Sequence, residues 1–282
     1  GNCECKRNTS ATIGRKHFKH GGEEGKHHGR CCSVAHKHRE ECSNHDKAQK
    51  HSVRACAEGL QQYAGQVDVQ TIFGGGICQE ETTEEELLAK IDELNRDQSV
   101  HGILVQLPLP TYMPEDHICQ RIALSKDVDG FNPQSDFHPC TPEGIVWLLK
   151  QLHGSLDGAE SVIVGRGKLV GAPLQKMLLD QNATVTACHS HTRNLKEHTK
   201  RADIVILATG KHMFDQSYFR TSLGRQTVID AGITFDETGR LCGDLITEQI
   251  DHSNMNVTPV PGGVGLLTRA VLVAHTVGVN LI

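Results

Sequence analysis

Three glycines lie where a phosphate group can approach the backbone closely. Gly165, Gly167 and Gly171 occur in the segment VGRGKLVG, directly after an apolar run and directly before a helical pattern. Glycines in a strand-to-helix turn permit a tight bend and the close passage of a pyrophosphate, whose charge the helix amino terminus stabilises. The spacing is a GxGxxxG variant of the dinucleotide fingerprint. We therefore expect a dinucleotide here; the alternative is an ordinary strand-to-helix turn.

The next apparent strand ends in ACHSHTRN, where a dinucleotide-binding fold contacts the ribose 2′ group. An acidic residue there would favour NAD, but the segment offers Ser190 and Arg193, with Arg166 nearby in the glycine turn. Hydroxyl and cationic groups suit a 2′-phosphate. We therefore expect NADP, with NAD less favoured. The alternative is that both arginines are solvated surface charges.

Two carboxylates and one amide form a second set of candidate residues. Asp127 and Asp129 lie two positions apart in KDVDGFNP, so in an extended segment both side chains face one ligand. A turn role for Asp129 before Gly130 is equally compatible with the spacing. Gln106 stands at the carboxyl end of the apolar segment VHGILVQLPLP, where open α/β sheets place ligands.

The segment VTPVPGGVGLLT combines residues that stiffen the backbone with residues that free it. Pro261 fixes φ, while Gly262, Gly263 and Gly265 open backbone conformations and allow a ligand to approach the main chain. This mixture is typical of a shaped loop rather than a slack one. Such loops usually bind a ligand.

Alternating strands and helices position these residues. Leu87, Leu88, Ile91 and Leu94 share one face of a helix that begins with a capping box of Thr83 and Glu86. VHGILVQLPLP then predicts a strand buried on both faces, which is typical of parallel sheets. After a helix at about 142–152, the pattern of SVIVGRGKLVGAPLQKMLLDQNATVTACHS predicts a βαβ unit. Residues of about 150–258 therefore form a doubly wound parallel sheet, and an apolar helix follows at about 265–277.

Length and charge limit the functional classes. A chain of 282 residues favours two domains, with one larger domain as the alternative. The net charge of -5, with both signs scattered, argues against a nucleic-acid partner. No apolar run is long enough for a membrane span, so we expect a soluble, intracellular protein. We expect most of the 11 cysteines to be reduced thiols.

The first sixty residues differ from the rest. Cysteines and histidines are frequent there, but the spacings match no standard zinc finger and no apolar periodicity is present. We expect an irregular segment without a core strand and without a metal, and the alternative is a zinc site.

The motifs occur together, in order, in one enzyme family. VQLPLP, KDVDGFNP, PCTPEGI, VGRGKLVGAP, ADIVILATG, VIDAGI and VTPVPGGVGLLT resemble the methylenetetrahydrofolate dehydrogenase/cyclohydrolase family over about residues 78–277. The resemblance implies an α/β fold of two domains: a folate-binding catalytic domain at 1–140 and a Rossmann-like domain with a doubly wound parallel sheet at 141–258. It also implies that residues 259–282 form a folate-site loop and a helix returning to the catalytic domain.

The resemblance further implies oxidation of 5,10-methylenetetrahydrofolate with NADP and hydrolysis of the methenyl product to 10-formyltetrahydrofolate. Its catalytic residues would be Lys50, Gln106 and Asp129. A homodimer is implied, in the cytoplasm or alternatively in the mitochondrial matrix. The implied substrate-binding residues are Val105, Gln106, Leu107, Asp129, Pro261, Gly262, Gly263, Val264 and Gly265, and the implied cofactor-binding residues are Gly165, Arg166, Gly167, Ser190 and Ile233.

The catalytic lysine is the point at which the chain departs from the family pattern. That pattern has a tyrosine and, four residues later, a lysine. Aligning on VRACAEGL puts Ala48 and Ser52 at those places, whereas aligning on Ser43 and Asn44 selects Asp46 and Lys50. Neither alignment supplies the tyrosine. The alternative function is therefore an impaired relative that binds NADP and is a dehydrogenase only, or is inactive.

Overall fold

The structure is a computed structural model that describes residues 11–16, 67–72, 82–221 and 224–282. These residues fall into two compact units. The first unit holds residues 11–16, 67–72, 82–140 and Leu272–Asn280, and the second holds Thr141–Val271, without 222–223, and Leu281–Ile282. Lys50 and the cysteines and histidines of the first sixty residues lie outside the described residues.

The described part of the first unit contains a three-stranded sheet and two complete helices. Its elements are β1 (Ala11–Lys16), β2 (Val67–Ile72), α1 (Glu84–Arg96), β3 (Gly102–Val105) and α2 (Glu115–Gln120), followed by a 3₁₀ turn at Leu124–Lys126. The sheet order is β2-β1-β3, and β1 is antiparallel to both neighbours.

Two expectations are wrong in this unit. The first sixty residues do contain a strand, β1, whose backbone pairs on both edges; hydrogen bonds to two neighbours stabilise a strand that lacks an apolar pattern. β3 pairs antiparallel to β1 rather than in a parallel sheet. A run of apolar residues reports that a strand is buried, and it does not determine the direction of its partner.

Helix α1 forms as its sequence predicts. Thr83 accepts a hydrogen bond from the Glu86 amide, and the Glu86 carboxylate accepts one from the Thr83 amide, which completes the capping box. Leu87, Ile91 and Leu94 are buried, and they pack in one cluster with Ile103 and Val105 of β3. This packing positions the carboxyl end of β3.

The second unit is built around a five-stranded parallel sheet. The strands are β4 (Glu160–Val164), β5 (Thr184–Cys188), β6 (Ile204–Leu207), β7 (Gln226–Asp230) and β10 (Met255–Val257), in the order β10-β7-β6-β4-β5. Its helices include α4 (Gly171–Leu179) and α5 (Leu195–Arg201), and a short hairpin of β8 (Thr234–Phe235) and β9 (Leu241–Cys242) follows β7. Helices α3 (Cys140–His153) and α6 (Val264–Thr276) each contribute residues to both units.

Both faces of this parallel sheet are covered, so the predicted doubly wound arrangement is confirmed. Along β6, Ile204 and Ile206 join a cluster with Leu149, whereas Val205 and Leu207 join the opposite cluster. Strands buried on both faces consist almost entirely of β-branched and other apolar residues, as here. The chain order reverses at β4, which pairs with β5 on one edge and β6 on the other. Open sheets bind ligands at such a reversal, beyond the carboxyl ends of the strands.

Two further observations concern the described residues alone. None of their helices has the length and apolarity needed to cross a membrane. Their cysteines, Cys119, Cys140, Cys188 and Cys242, are free thiols.

Candidate functional site

The carboxyl ends of four parallel strands of the second unit are in register. Val164, Cys188, Leu207 and Asp230 are paired in one row across β5, β4, β6 and β7. Residues just beyond this row therefore lie at one edge of the sheet. The predicted cofactor residues Gly165, Arg166, Gly167, Ser190 and Ile233 all follow the row within three positions along the chain.

The glycine turn after β4 has little room for side chains at two of its three positions. Gly165 has φ +126°, and a Cβ there would overlap the carbonyl oxygen of Ala208. A Cβ on Gly171 would overlap the carbonyl oxygen of Gly165, so the start of α4 packs directly on the turn. By contrast, a Cβ on Gly167 would have no atom within 4 Å. Open space therefore lies over Gly167.

The amino terminus of α4 has no side chain capping it. Val170, at the cap position, makes no side-chain hydrogen bond, whereas the Ala172 amide donates to the Gly167 carbonyl at 3.0 Å. An uncapped helix start beside open space is a suitable place for an anion. The observed turn thus fits a pyrophosphate.

Arg166 and Ser190 occupy equivalent positions on neighbouring strands. Each follows the paired residues Val164 and Cys188 by two positions, and the Gly165 amide donates to the Cys188 carbonyl at 2.9 Å. Arg166, Ser190 and Arg193 are exposed. A hydroxyl and two guanidinium groups are therefore available near the end of β5.

Two buried carboxylates shape the loops after β6 and β7, and the sequence interpretation did not identify them as contributors. Asp244 is fully buried and accepts hydrogen bonds from the Thr209 amide at 2.6 Å and the Lys211 amide at 2.8 Å. Asp230 accepts from the amides of Gly232, Asp244 and Leu245. Burial raises the pKa of Asp230, and these amide hydrogen bonds lower it. For Asp230 the motif VIDAGI was the available indication, since it puts the aspartate at the end of an apolar run.

Ile233 lies in one of these loops. Its side chain is 68% exposed, although it is large and apolar. The nearest atom to a Cβ placed on Gly210 would be the carbonyl oxygen of Ile233, at 3.8 Å. The loops after β6 and β7 therefore lie side by side at the edge that carries the glycine turn.

In the first unit, β3 and the aspartate segment run in the same direction. Ile103 and Asp127 form an isolated parallel bridge, so Val105 and Asp129, each two residues further on, leave at the same end. Val105 is buried, Leu107 is half-buried, and the Gln106 side chain is exposed with Nε2 3.2 Å from the Leu107 carbonyl oxygen. Leu107–Pro108 is a cis peptide bond.

The two aspartates of KDVDGFNP have separate environments. Asp127 is buried and accepts hydrogen bonds from the amides of Gly130 at 3.2 Å and Asn132 at 2.9 Å. Burial raises the pKa of Asp127, against these hydrogen bonds. Asp127 therefore stabilises the turn. The sequence analysis had considered a turn role for Asp129 instead. The expectation that both carboxylates face one ligand is wrong, because the oxygens of Asp127 are engaged by the backbone.

Asp129 is the aspartate whose carboxyl group is not committed to this turn. It is half-buried, and desolvation raises its pKa to about 6; a hydrogen bond from Cys140 and the charge of His275 oppose this shift, while the charge of Asp127 adds to it. A half-buried carboxyl group that titrates near neutrality is a candidate for ligand binding.

The proline- and glycine-rich loop precedes α6. Val260–Pro261 is a cis peptide bond, Gly262 has φ +100° and is exposed, and a Cβ on Gly263 would overlap the Pro259 carbonyl oxygen. Val264 is buried and begins the helix, and Gly265 has open space around it. The loop is thus shaped by its own backbone, and its exposed positions are glycines and a proline.

Comparison with known proteins identifies the family. The tetrahydrofolate dehydrogenase/cyclohydrolase family matches the chain twice: its catalytic domain matches residues 44–129, and its NAD(P)-binding domain matches residues 139–281. The chain belongs to this family. The resemblance predicted from the motifs is therefore confirmed, as is the two-domain α/β fold class.

The bifunctional protein FolD of Bacillus subtilis is 48% identical to the chain over 204 residues, which cover 69% of this chain and 71% of that protein. The FolD of Agathobacter rectalis is 47% identical over 208 residues, which cover 70% and 74%. Both similarities support a tetrahydrofolate dehydrogenase/cyclohydrolase of the FolD type.

Two solved structures of the family resemble the fold. The bifunctional methylenetetrahydrofolate dehydrogenase/cyclohydrolase FolD from Campylobacter jejuni has a TM-score of 0.66 and 33% identity, and the match covers 88% of this chain and 95% of that one. FolD from Trypanosoma brucei, solved with NADP cofactor and an inhibitor, has a TM-score of 0.63 and 30% identity, over 70% and 72% of the two chains.

Each unit contains some of the predicted site residues. Val105, Gln106, Leu107 and Asp129 belong to the first unit, whereas the loop 261–265 and the nucleotide-side residues belong to the second. The catalytic candidate Lys50 lies outside the described residues. Sequence analysis missed Cys140 and His275 as neighbours of Asp129; the histidine that follows the apolar run of residues 270–274 in α6 was the available indication.

Two glycines of the turn should respond differently to the same substitution. We expect Gly171→Ala to lower the free energy of unfolding by about 1–3 kcal/mol, because the added methyl group overlaps the Gly165 carbonyl oxygen. Gly167→Ala should change it by less than about 0.5 kcal/mol, because the methyl group enters open space. Thermal and urea unfolding of both variants without nucleotide measures this. Equal destabilisation would contradict the observed turn geometry.

Proposed function

We propose that the chain is an NADP-dependent 5,10-methylenetetrahydrofolate dehydrogenase that also hydrolyses the 5,10-methenyl product to 10-formyltetrahydrofolate. The observation that carries this proposal is that both domains of the family match, in order, over most of the chain. The nucleotide-side geometry of the second unit and the Asp129 carboxyl group of the first unit each support it.

On the nucleotide side, the residues present fit NADP. The uncapped start of α4 and the open space over Gly167 would receive the pyrophosphate, and Gly165 and Gly171 keep the turn compact. Arg166 and Ser190 would contact the 2′-phosphate, and the exposed apolar side chain of Ile233 would lie against the nucleoside. Bound NADP supplies the hydride acceptor.

On the folate side, the chain would bind the pterin and position the one-carbon unit. The pterin ring presents adjacent N–H donors, and the Asp129 carboxylate can accept two hydrogen bonds at once. By the family resemblance, Val105, Gln106 and Leu107 of the first unit and the loop 261–265 of the second unit are further candidates for substrate binding. The reacting carbon lies between two nitrogens whose lone pairs stabilise the cation left when hydride departs, so orientation contributes much of the rate.

Hydrolysis requires a group that can move protons near the one-carbon unit. We assign this role to Lys50, with Gln106 as the amide that holds it. A lysine can serve near neutral pH only when desolvation or its neighbours lower its pKa. The second candidate function, a dehydrogenase without hydrolase activity, is favoured by one sequence observation: neither alignment of residues 43–54 restores the family tyrosine. The family resemblance also underlies our proposals of a homodimer and a cytoplasmic location.

Separate assays of the two reactions on the purified protein test the function. We expect NADPH to form from 5,10-methylenetetrahydrofolate, and 10-formyltetrahydrofolate to form from the methenyl compound. Lys50→Ala should remove the second activity, whereas Lys47→Ala is the matched control. Dehydrogenase activity without hydrolysis in the unsubstituted protein would select the second candidate function. Loss of both activities would refute the proposal.

Folate binding should depend on pH through Asp129. Because its pKa is about 6 and the ionised form accepts the hydrogen bonds, tetrahydrofolate affinity should fall about tenfold for each pH unit below 6. Asp129→Asn should bind more weakly at pH 8 and lose this dependence, with NADP affinity unchanged. Isothermal titration calorimetry between pH 5 and pH 8, chosen to span that pKa by about one to two units, measures both affinities. A pH dependence retained in Asp129→Asn would exclude Asp129 from the site.

Cofactor preference should depend on Arg166. Removing a guanidinium that contacts a phosphate typically costs about 1.5–3 kcal/mol, so Arg166→Ala should lower the kcat/KM ratio of NADP to NAD by at least about tenfold. Arg240→Ala, at another exposed arginine of the second unit, is the control. An unchanged NADP/NAD ratio would refute the role of Arg166.

A further inference from the structure

We propose that His275 and Cys140 are positioning residues that hold the Asp129 carboxylate in its binding orientation. Both side chains converge on the backbone carbonyl of Val128, the residue that directly precedes Asp129. The inference rests on the proposed function insofar as Asp129 binds the pterin. The coupling of His275 to Asp129 can be tested separately from that role.

The orientation of the His275 ring follows from its hydrogen bond. His275 lies in the last turn of α6, is 2% exposed, and has Nδ1 2.8 Å from the Val128 carbonyl oxygen. A carbonyl oxygen can only accept, so Nδ1 carries a proton and donates. Phe137 stacks on the ring with a centroid distance of 4.4 Å and an interplanar angle of 25°. The ring is therefore fixed in position and in plane.

The thiol of Cys140 connects this anchor to the carboxylate. Its side chain is 1% exposed, and its Sγ lies 3.3 Å from the Val128 carbonyl oxygen and 3.7 Å from His275 Nδ1. The thiol lies within reach of two acceptors, the Val128 carbonyl oxygen and the Asp129 carboxyl group, with which Cys140 also makes a hydrogen bond. The three residues thus share one hydrogen-bonded cluster.

The charges around Asp129 make its ionisation sensitive to His275. Desolvation and the nearby Asp127 raise the pKa of Asp129, whereas the Cys140 hydrogen bond and the His275 charge lower it. These groups come from the segment after the 3₁₀ turn, from α3 and from α6. The charge of His275 favours the ionised form of the Asp129 carboxyl group.

Two simpler interpretations account for less of the geometry. If His275 served packing alone, an apolar side chain would suffice. Packing does not explain a buried imidazole that donates a hydrogen bond to the Val128 carbonyl. A metal site is the other interpretation of aspartate, cysteine and histidine in proximity. Among the described residues, however, no set of three or more such side chains is arranged to hold a metal ion.

Replacing His275 by asparagine separates the two contributions of the ring. The asparagine amide can still donate to the Val128 carbonyl, but it carries no charge. We expect His275→Asn to raise the Asp129 pKa and to weaken tetrahydrofolate binding about threefold at pH 6, with little change at pH 8. KM for the folate should rise at pH 6, with KM for NADP unchanged. His153→Asn, the same change in the second unit, is the control.

The direct measurement is the carboxyl carbon resonance of Asp129, followed by NMR from pH 4 to pH 8 in the full chain without ligand, a range that brackets its pKa of about 6. Asp129→Asn assigns the resonance. Cys140→Ala should raise the Asp129 pKa and Cys140→Ser should not, which keeps the test valid if His275→Asn does not fold. Identical Asp129 titrations in all these variants and the wild type would overturn the proposal.

The two proposals fail in distinguishable ways. If the Asp129 titration moves in His275→Asn while tetrahydrofolate affinity stays the same at every pH, the coupling stands and the pterin role of Asp129 is refuted. If Asp129→Asn loses tetrahydrofolate binding while the Asp129 titration is insensitive to His275 and Cys140, the function stands and the positioning role is refuted.

Discussion

A buried carboxylate requires hydrogen-bond donors, and in this protein the backbone supplies them. Asp127, Asp230 and Asp244 are all nearly inaccessible, and each accepts hydrogen bonds from main-chain amides of its own turn or of a neighbouring loop. An unpaired buried charge would cost several kcal/mol, so these loops are held in the conformations that present their amides. Two candidate residues, the half-buried Asp129 in one unit and the exposed Ile233 in the other, are placed by loops that these carboxylates organise.

Strand register in the parallel sheet also determines where candidate residues lie. One paired row from β5 to β7 brings four connecting loops to the same edge, and close backbone packing of Gly165 and Gly171 shapes the turn after β4. A nucleotide needs several separate contacts along its length, and residues far apart in the chain can provide them only if their strands end together. The register therefore accounts for why Arg166, Ser190 and Ile233 are gathered at one place.

Local patterns predicted the parts of the structure that local interactions determine. The capping box of α1 and the βαβ unit depend on residues close in sequence, and both are observed. β1 was missed because pairing with two distant strands stabilises it. His275 was missed because it is 146 positions from Asp129 in the sequence, and no spacing rule connects them. The motifs named Asp129 as a candidate, but only the folded chain shows that Asp127 takes the turn.

The reciprocal fit of two glycines and two aspartates limits how the protein can change. A side chain on Gly232 would overlap the Asp244 carboxylate, and a side chain on Gly243 would overlap the Asp230 carboxylate. The glycine of each loop therefore packs against the aspartate of the other loop. A single replacement at any of these four positions disturbs both loops. In evolution these positions must drift jointly or stay fixed, and laboratory libraries that diversify one loop alone will recover few folded clones.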